Sequence, residues 1–330
     1  MTIKYAGTWL FATTLFIVLL SGCAQQAGAS PSATTTPVTH GSIVATPITT
    51  TGCGKAPPTV AGKTMEATLT SDGIQRTYRL HLPVGYDPHR MTPLVLDFHG
   101  MNETAQEQER YTTYSSLADQ QQVLVVYPQG VVGSNGKVGW ATYGQFDPTV
   151  NDVLFVSDLL TALQHQLCVD SHRIYATGIS NGGGMTNLLA CQMAGRIAAF
   201  VAVAAAIYPI PGGCHPARPV PYLEFHGTAD SIVHYDGRPA VHLAPIMQTM
   251  QSWSTLDGCR SGPTTFFQHA DVVGLQWTGC QSGSMVQHYR ITGGGHTWPG
   301  ARPVPRLGAT TRTVSATRLS WQFFQRYHLA

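Results

Sequence analysis

From about residue 64 onward the chain alternates between short apolar runs and longer stretches with helical spacing. The runs Thr64–Leu69, Arg76–Leu82, Leu94–Phe98, Val123–Tyr127, Arg173–Thr177, Ala199–Ala204, Pro221–Phe225 and Val286–Ile291 predict strands. The middle ones are almost continuously apolar, as strands covered on both faces are. Arg76–Leu82 begins with polar–apolar alternation and lies close to its predecessor, which predicts an antiparallel hairpin leading the sheet. Helices are predicted at Ala105–Gln121, Asp152–Leu167, Gly183–Ala194, Pro239–Leu256 and Thr311–Tyr327. This alternation specifies an α/β fold, a doubly wound and mostly parallel sheet with helices on both faces. Chemistry in such sheets collects at the carboxyl ends of the strands.

The N-terminus breaks this pattern. Lys4 precedes an apolar run from Trp9 to Leu20, and Leu20-Ser21-Gly22-Cys23 follows. Small residues before a cysteine at that place predict a lipoprotein signal over residues 1–22, with cleavage before a lipidated Cys23. An ordinary secretory signal cleaved nearby is the alternative. Both readings export the chain, and the apolar run is short for a permanent spanning helix. Residues 24–51 are mostly Ala, Gln, Ser, Thr, Pro and Gly, without Asp, Glu, Lys or Arg. Residues 23–51 therefore predict a flexible tether, and 52–330 a single folded domain.

Charged residues make up only 11% of the chain and the net charge is +2, with no basic stripe for nucleic acid. There are seven cysteines. If Cys23 carries lipid, an even set remains, which in an exported chain implies three disulfides with about 15 possible connectivities. Cys259 and Cys280 bracket a hairpin-like insert, and Cys191 lies within reach of Cys214. That leaves Cys53 to pin the domain's start to Cys168. No C-x-x-C pair is present, which disfavours a zinc site, and the candidate chemistry below implies no metal or organic cofactor.

Candidate chemistry centres on Gly178-Ile179-Ser180-Asn181-Gly182, between a predicted strand and a predicted helix. A G-x-S-x-G turn in that setting is the nucleophile elbow of an α/β-hydrolase, where tiny neighbours let the chain fold back and raise the serine hydroxyl above the sheet. The acid and base follow in chain order. Asp230 lies just past the strand Pro221–Phe225, in Phe225-His226-Gly227-Thr228-Ala229-Asp230. Asp257 and Asp271 are rivals, but neither follows a core-like strand. His296 follows Val286–Ile291 and the glycines 293–295, and alone among the histidines beyond Asp230 follows both a strand and a glycine hinge. Two backbone N–H groups are needed for an oxyanion hole. Asn181 supplies one, and Met101, in His99-Gly100-Met101-Asn102, the other. Trp140, Trp298 and Tyr235 lie near motif ends and are candidates for an aromatic substrate rim.

Taken together, His99-Gly100, the elbow, Phe225 to Asp230 and Gly295-His296-Thr297-Trp298-Pro299 resemble the secreted polyhydroxybutyrate depolymerase and feruloyl esterase group of α/β-hydrolases. The resemblance runs from about Ala61 to Ala330. It implies Ser180, Asp230 and His296 as a catalytic triad and a shallow site without a large lid. Met101 is a departure, since many depolymerases carry cysteine there. The expected substrate is a phenolic, acetyl or polyester ester, and the expected membrane contact is through lipid at Cys23. A non-catalytic binding lipoprotein and a serine peptidase are the competing classes. The intact Ser180, Asp230 and His296 disfavour the first, and the lack of an evident domain controlling peptide access disfavours the second.

Overall fold

In the computed structural model, which describes residue 2 and residues 42–142, 146–147 and 149–330, the strands are β1 (Lys63–Ser71), β2 (Ile74–Leu82), β3 (Thr92–Phe98), β4 (Leu124–Pro128), β5 (Val131–Val132), β6 (Val138–Gly139), β7 (Val169–Ile179), β8 (Ala199–Val203), β9 (Tyr222–Gly227), β10 (Ser261–His269), β11 (Val272–Thr278) and β12 (Val286–Ile291). Ten of them form one sheet in the order β1-β2-β4-β3-β7-β8-β9-β12-β11-β10. The six strands from β4 to β12 in that order run parallel, and antiparallel strands flank them at both ends. The predicted doubly wound, mostly parallel architecture and its leading hairpin are the observed ones.

Alternation along the central strands explains the two layers of helices. Leu94, Leu96 and Phe98 face one core with Leu124, Val126, Ile174 and Phe200, while Val95, Val125, Tyr175 and Val201 face another. The first core is covered by α3 (Asp152–Gln166), α4 (Asn181–Gln192) and α5 (Ile246–Leu256), the second by α1 (Ala105–Thr112), α2 (Tyr114–Gln121) and α6 (Ala316–Phe324). Burying both faces of a strand removes polar positions from it, which is why these runs read as continuous apolar sequence.

Helix ends differ from the sequence expectation for local reasons. The stretch 105–121 is two helices, because Thr113 adopts a left-handed conformation (φ 57°) that ends α1. The start of α1 is fixed by a reciprocal capping box between Thr104 and Glu107. Pro245 delays α5 to Ile246, leaving only a short 3-10 turn at Pro239–Val241. β10 and β11 form the hairpin bracketed by Cys259 and Cys280. All three expected disulfides are present: Cys53–Cys168, Cys191–Cys214 and Cys259–Cys280.

Apart from residue 2, the expected signal segment and Cys23 lie outside the described residues, as does the tether up to residue 41. The described end of that tether is bonded to the domain. Buried Arg196 donates to the Val44 carbonyl and to Ser157, Thr161 and Gln164 of α3. The Val44 amide donates to Ser157 Oγ, and Thr51 and Gly52 donate to the Gln164 carbonyl. These bonds supply partners that a threonine-rich composition does not reveal.

Candidate active site

Ser180 stands between β7 and α4 with φ 59° and ψ −120°, a region that side chains rarely occupy. The strain is held by backbone bonds to α4 and to the chain at and just after the end of β8. The Ser180 amide donates to the Val203 carbonyl, and the Ser180 carbonyl accepts from Gly184 and Ala206 at 2.9 Å. The glycines are required sterically. A Cβ on Gly178 would lie 2.6 Å from the Gly182 carbonyl oxygen, and one on Gly182 would lie 2.2 Å from that of Phe98. The elbow thus closes against the end of β3, and a Cβ on Gly100 would sit 3.4 Å from that of Ser180.

Asp230 and His296 are brought together from two other strand ends. His296 Nδ1 lies 2.7 Å from Asp230 Oδ2, and both residues are buried. Asp230 Oδ1 accepts from the amides of Ile232 and Val233 at 2.8 Å each. Burial alone would raise the Asp230 carboxyl. The bonds and charges of His226 and His296 outweigh it and hold the group well below the usual carboxylate range. The glycine hinge makes the approach possible, since a Cβ on Gly227 would strike the Gly294 carbonyl at 2.1 Å and one on Gly295 the Leu307 carbonyl at 2.2 Å. Asp257 serves a different purpose. It accepts from the Val220 amide and the Ser284 hydroxyl, fixing the entry to β9.

The loop after β3 is aimed by His99. This buried ring places Nδ1 2.7 Å from the Gly100 carbonyl, while Nε2 lies 2.9 Å from the Gly130 amide nitrogen. A backbone amide can only donate, so Nε2 accepts and Nδ1–H donates. Burial holds the ring neutral, at about 4. A planar peptide points its C=O and N–H in opposite directions, so pinning the Gly100 carbonyl on one side turns the Met101 N–H to the other. Among the described residues, neither the Met101 amide nor the Asn181 amide has an acceptor.

Trp140 and Trp298 are not rim residues, which corrects the sequence expectation. Trp140 is 0% exposed. Its indole N–H donates to the His99 carbonyl at 2.9 Å, and its backbone N–H to Asn181 Oδ1 at 2.7 Å. It therefore braces the loop after β3 against the turn that carries Ser180. The β5–β6 ribbon carries it there, with the Val138 carbonyl accepting from Asn102. Trp298 is 1% exposed and donates to Thr317 in the α6 core. Both rings were drawn inward by polar partners that lie far away in sequence. Tyr235 is half-buried and lies 2.9 Å from His288 Nε2. Met101 and Ile232 are exposed apolar side chains beside the site.

A groove of about 540 Å³ opens between the loop after β3 and the chain after His296. It is lined by Asn102, Glu103, Tyr111, Arg302, Arg306 and Leu307, and the Leu307 carbonyl accepts from the His296 amide. Glu103 joins groove and site, accepting from the Gly100 amide at 2.9 Å. Behind Asp230 lies a buried group absent from the sequence reading, formed by Glu224, His226 and His288. Its signal was available, since Glu224 and His226 occupy alternate positions in an otherwise apolar strand.

The family model described as esterase PHB depolymerase matches residues 76–258. The chain is 31% identical over 226 residues to "Feruloyl esterase B" of Piromyces equi, a match covering 65% of this chain and 41% of that protein. It is 30% identical over 275 residues to "Putative esterase NocK" of Nocardia uniformis subsp. tsuyamanensis, covering 76% of this chain and 79% of that protein. Among solved structures it superimposes on an acetyl xylan esterase from Aspergillus awamori with a TM-score of 0.58, covering 79% of this chain and 99% of that one. The identity there is 16%, so that likeness concerns the fold.

Proposed function

This chain belongs to the esterase PHB depolymerase family, and from that premise we propose that it is an exported serine hydrolase of carboxylic esters. The observation that carries the reading is a strained elbow serine (φ 59°) in one chain with an Asp230–His296 pair at 2.7 Å, in the chain order nucleophile, acid, base. Ser180 Oγ attacks the ester carbonyl while His296 accepts its proton. Asp230 orients His296 and stabilises its cationic form. The amides of Met101 and Asn181 donate to the oxyanion, and removing one such donor costs about 10²–10³ in turnover. Proton return from His296 expels the alcohol, and water then releases the acid from the acyl-enzyme. The groove beside Glu103 and Arg306 takes the part of the ester beyond the scissile bond. The substrate class is an acyl ester of plant polysaccharide, feruloyl or acetyl, with a polyhydroxyalkanoate-type polyester as the second candidate.

Export is supported by three disulfides and by the leader sequence, and Cys23 is the site of lipid attachment. The test is a panel of methyl ferulate, acetylated xylan, a short p-nitrophenyl ester and poly-3-hydroxybutyrate, run with wild type and Ser180→Ala. Hydrolysis of at least one ester by wild type, and loss of several orders of magnitude in a folded Ser180→Ala, supports the reading. Equal turnover by the two proteins refutes it.

A further inference from the structure

Fully buried Glu224 sits on β9 opposite His288 of β12. Glu224 Oε1 lies 2.8 Å from His226 Nδ1, and Oε2 lies 2.8 Å from His288 Nδ1. On its other side, His226 Nε2 lies 2.8 Å from the Val233 carbonyl oxygen and 3.4 Å from Asp230 Oδ2. Both nitrogens of His226 thus face oxygen acceptors. A carbonyl has no proton to offer, so Nε2 must carry hydrogen, and an ionised Glu224 requires the same of Nδ1. The ring is then an imidazolium, paired with a carboxylate in a dry interior. The electrostatics agree. Burial opposes the charge on His226, yet Glu224 pushes the group up to about 10, and Glu224 in turn is lowered by His226 against its own burial.

This cation lies directly behind the carboxylate that holds His296. Asp230 Oδ2 receives His296 Nδ1–H at 2.7 Å and faces the His226 N–H from the rear. With Oδ1 occupied by two amides, the carboxylate has no freedom to turn away. The facing nitrogens of the two rings are at most about 6 Å apart through that one oxygen, close enough in this buried setting for the charge on His226 to act on the Asp230–His296 pair. The other groups facing this region are Tyr235, set edge-on to His226 and 2.9 Å from His288, Arg290, the register partner of His226, and Glu103 on the far side of His296.

We propose that Glu224 and His226 are a positioning pair for Asp230: Glu224 keeps His226 cationic, and that cation fixes the Asp230 carboxylate that orients the His296 base. The proposal rests on reading Ser180, Asp230 and His296 as the triad. It assigns a purpose to a buried ion pair that hydrophobic residues of similar volume could replace without loss of stability.

Two variants separate charge from geometry. Glu224→Gln is isosteric and lets a neutral His226 keep its Nε2–H on Asp230 and Val233 while Nδ1 accepts from the new amide. His226→Gln removes the cation outright. Profiles of kcat/KM against pH are measured with a p-nitrophenyl ester, alongside melting curves and fluorophosphonate labelling. Loss of the cation behind Asp230 should move the acid limb to higher pH, further in His226→Gln than in Glu224→Gln. In His226→Gln kcat should fall about 10-fold or more, with KM within about 2-fold. Folded variants with the wild-type acid limb overturn the proposal. If neither variant folds, ¹⁵N-histidine spectra of wild type at pH 8 decide. One buried ring protonated on both nitrogens supports it, and none overturns it. Ser180→Ala and His296→Ala run in parallel. If they stay active, the triad reading itself has failed. If they are inactive while the acid limb of His226→Gln is unmoved, only this inference has.

Discussion

Trp140→Phe separates the brace from the rim most sharply. The substitution keeps an apolar ring in place and deletes one hydrogen bond, from the indole N–H to the His99 carbonyl at 2.9 Å. Leaving that buried carbonyl unpartnered costs about 1–3 kcal/mol. The void left by the smaller ring adds about 1 kcal/mol. A loss near 3 kcal/mol should lower Tm by about 6–12 °C for a domain of this size. The catalytic effect follows from geometry. The His99 backbone leads into the Gly100–Met101 peptide, so loosening it misaims one proposed oxyanion donor. Total loss of a donor is worth about 10²–10³, and partial misalignment should cost about 10-fold in kcat with KM nearly unchanged. Steady-state kinetics with a soluble ester and a melting curve provide both readouts. Trp298→Phe is the control. It also loses a buried bond, to Thr317 at 2.9 Å, and should lower Tm without touching kcat. A Trp140→Phe enzyme with unchanged kcat and a KM raised several-fold would refute the brace and restore the rim.

Asp97 is fully buried on β3, and burial pushes its carboxyl up to about 7 against hydrogen bonds from Gln108 and Thr112. The folded state therefore keeps a proton that the unfolded chain releases near pH 4, so this group erodes stability as pH rises from about 4 to 7. Asp97→Asn should accordingly gain more over wild type at pH 8 than at pH 5 in denaturant unfolding, and a difference independent of pH would contradict this. Removing Cys53–Cys168, which spans 115 residues, should cost more than removing Cys259–Cys280, which spans 21, since the chain-entropy model gives about 4.7 and 3 kcal/mol for loops of these sizes; denaturant midpoints of Cys→Ser pairs check the order. In a bacterial host, wild type should partition into detergent and Cys23→Ala into the aqueous phase, and equal partitioning would remove the lipid anchor from the account.

The elbow was legible because its geometry excludes side chains. A Cβ at Gly178 or Gly182 would meet backbone within 3 Å, so only glycine fits there. The central strands were legible because burial on both faces leaves no polar positions to confuse the pattern. β10 was not, since it is an edge strand exposed along almost its whole length and carries no alternation. Neither was the break at Thr113, where a left-handed residue carries no glycine to announce it. Trp140 and Trp298 were misjudged because proximity to a motif in sequence says nothing about where an indole N–H finds its acceptor. Arg196, the group that anchors residues near Val44, stood 152 positions away from its partner. Glu224 and His226 were in view as part of a strand, yet the pairing of Glu224 with His288 exists only once β9 and β12 lie side by side.

The central claim is that Ser180 is the activated nucleophile of this fold. A fluorophosphonate forms a covalent bond only with a hydroxyl whose proton a neighbouring base removes. Peptide mapping of the labelled protein should find a single adduct, on the peptide carrying Ser180, with labelling lost in Ser180→Ala and in His296→Ala. An adduct on another residue, or equal labelling of those two variants, would contradict the account.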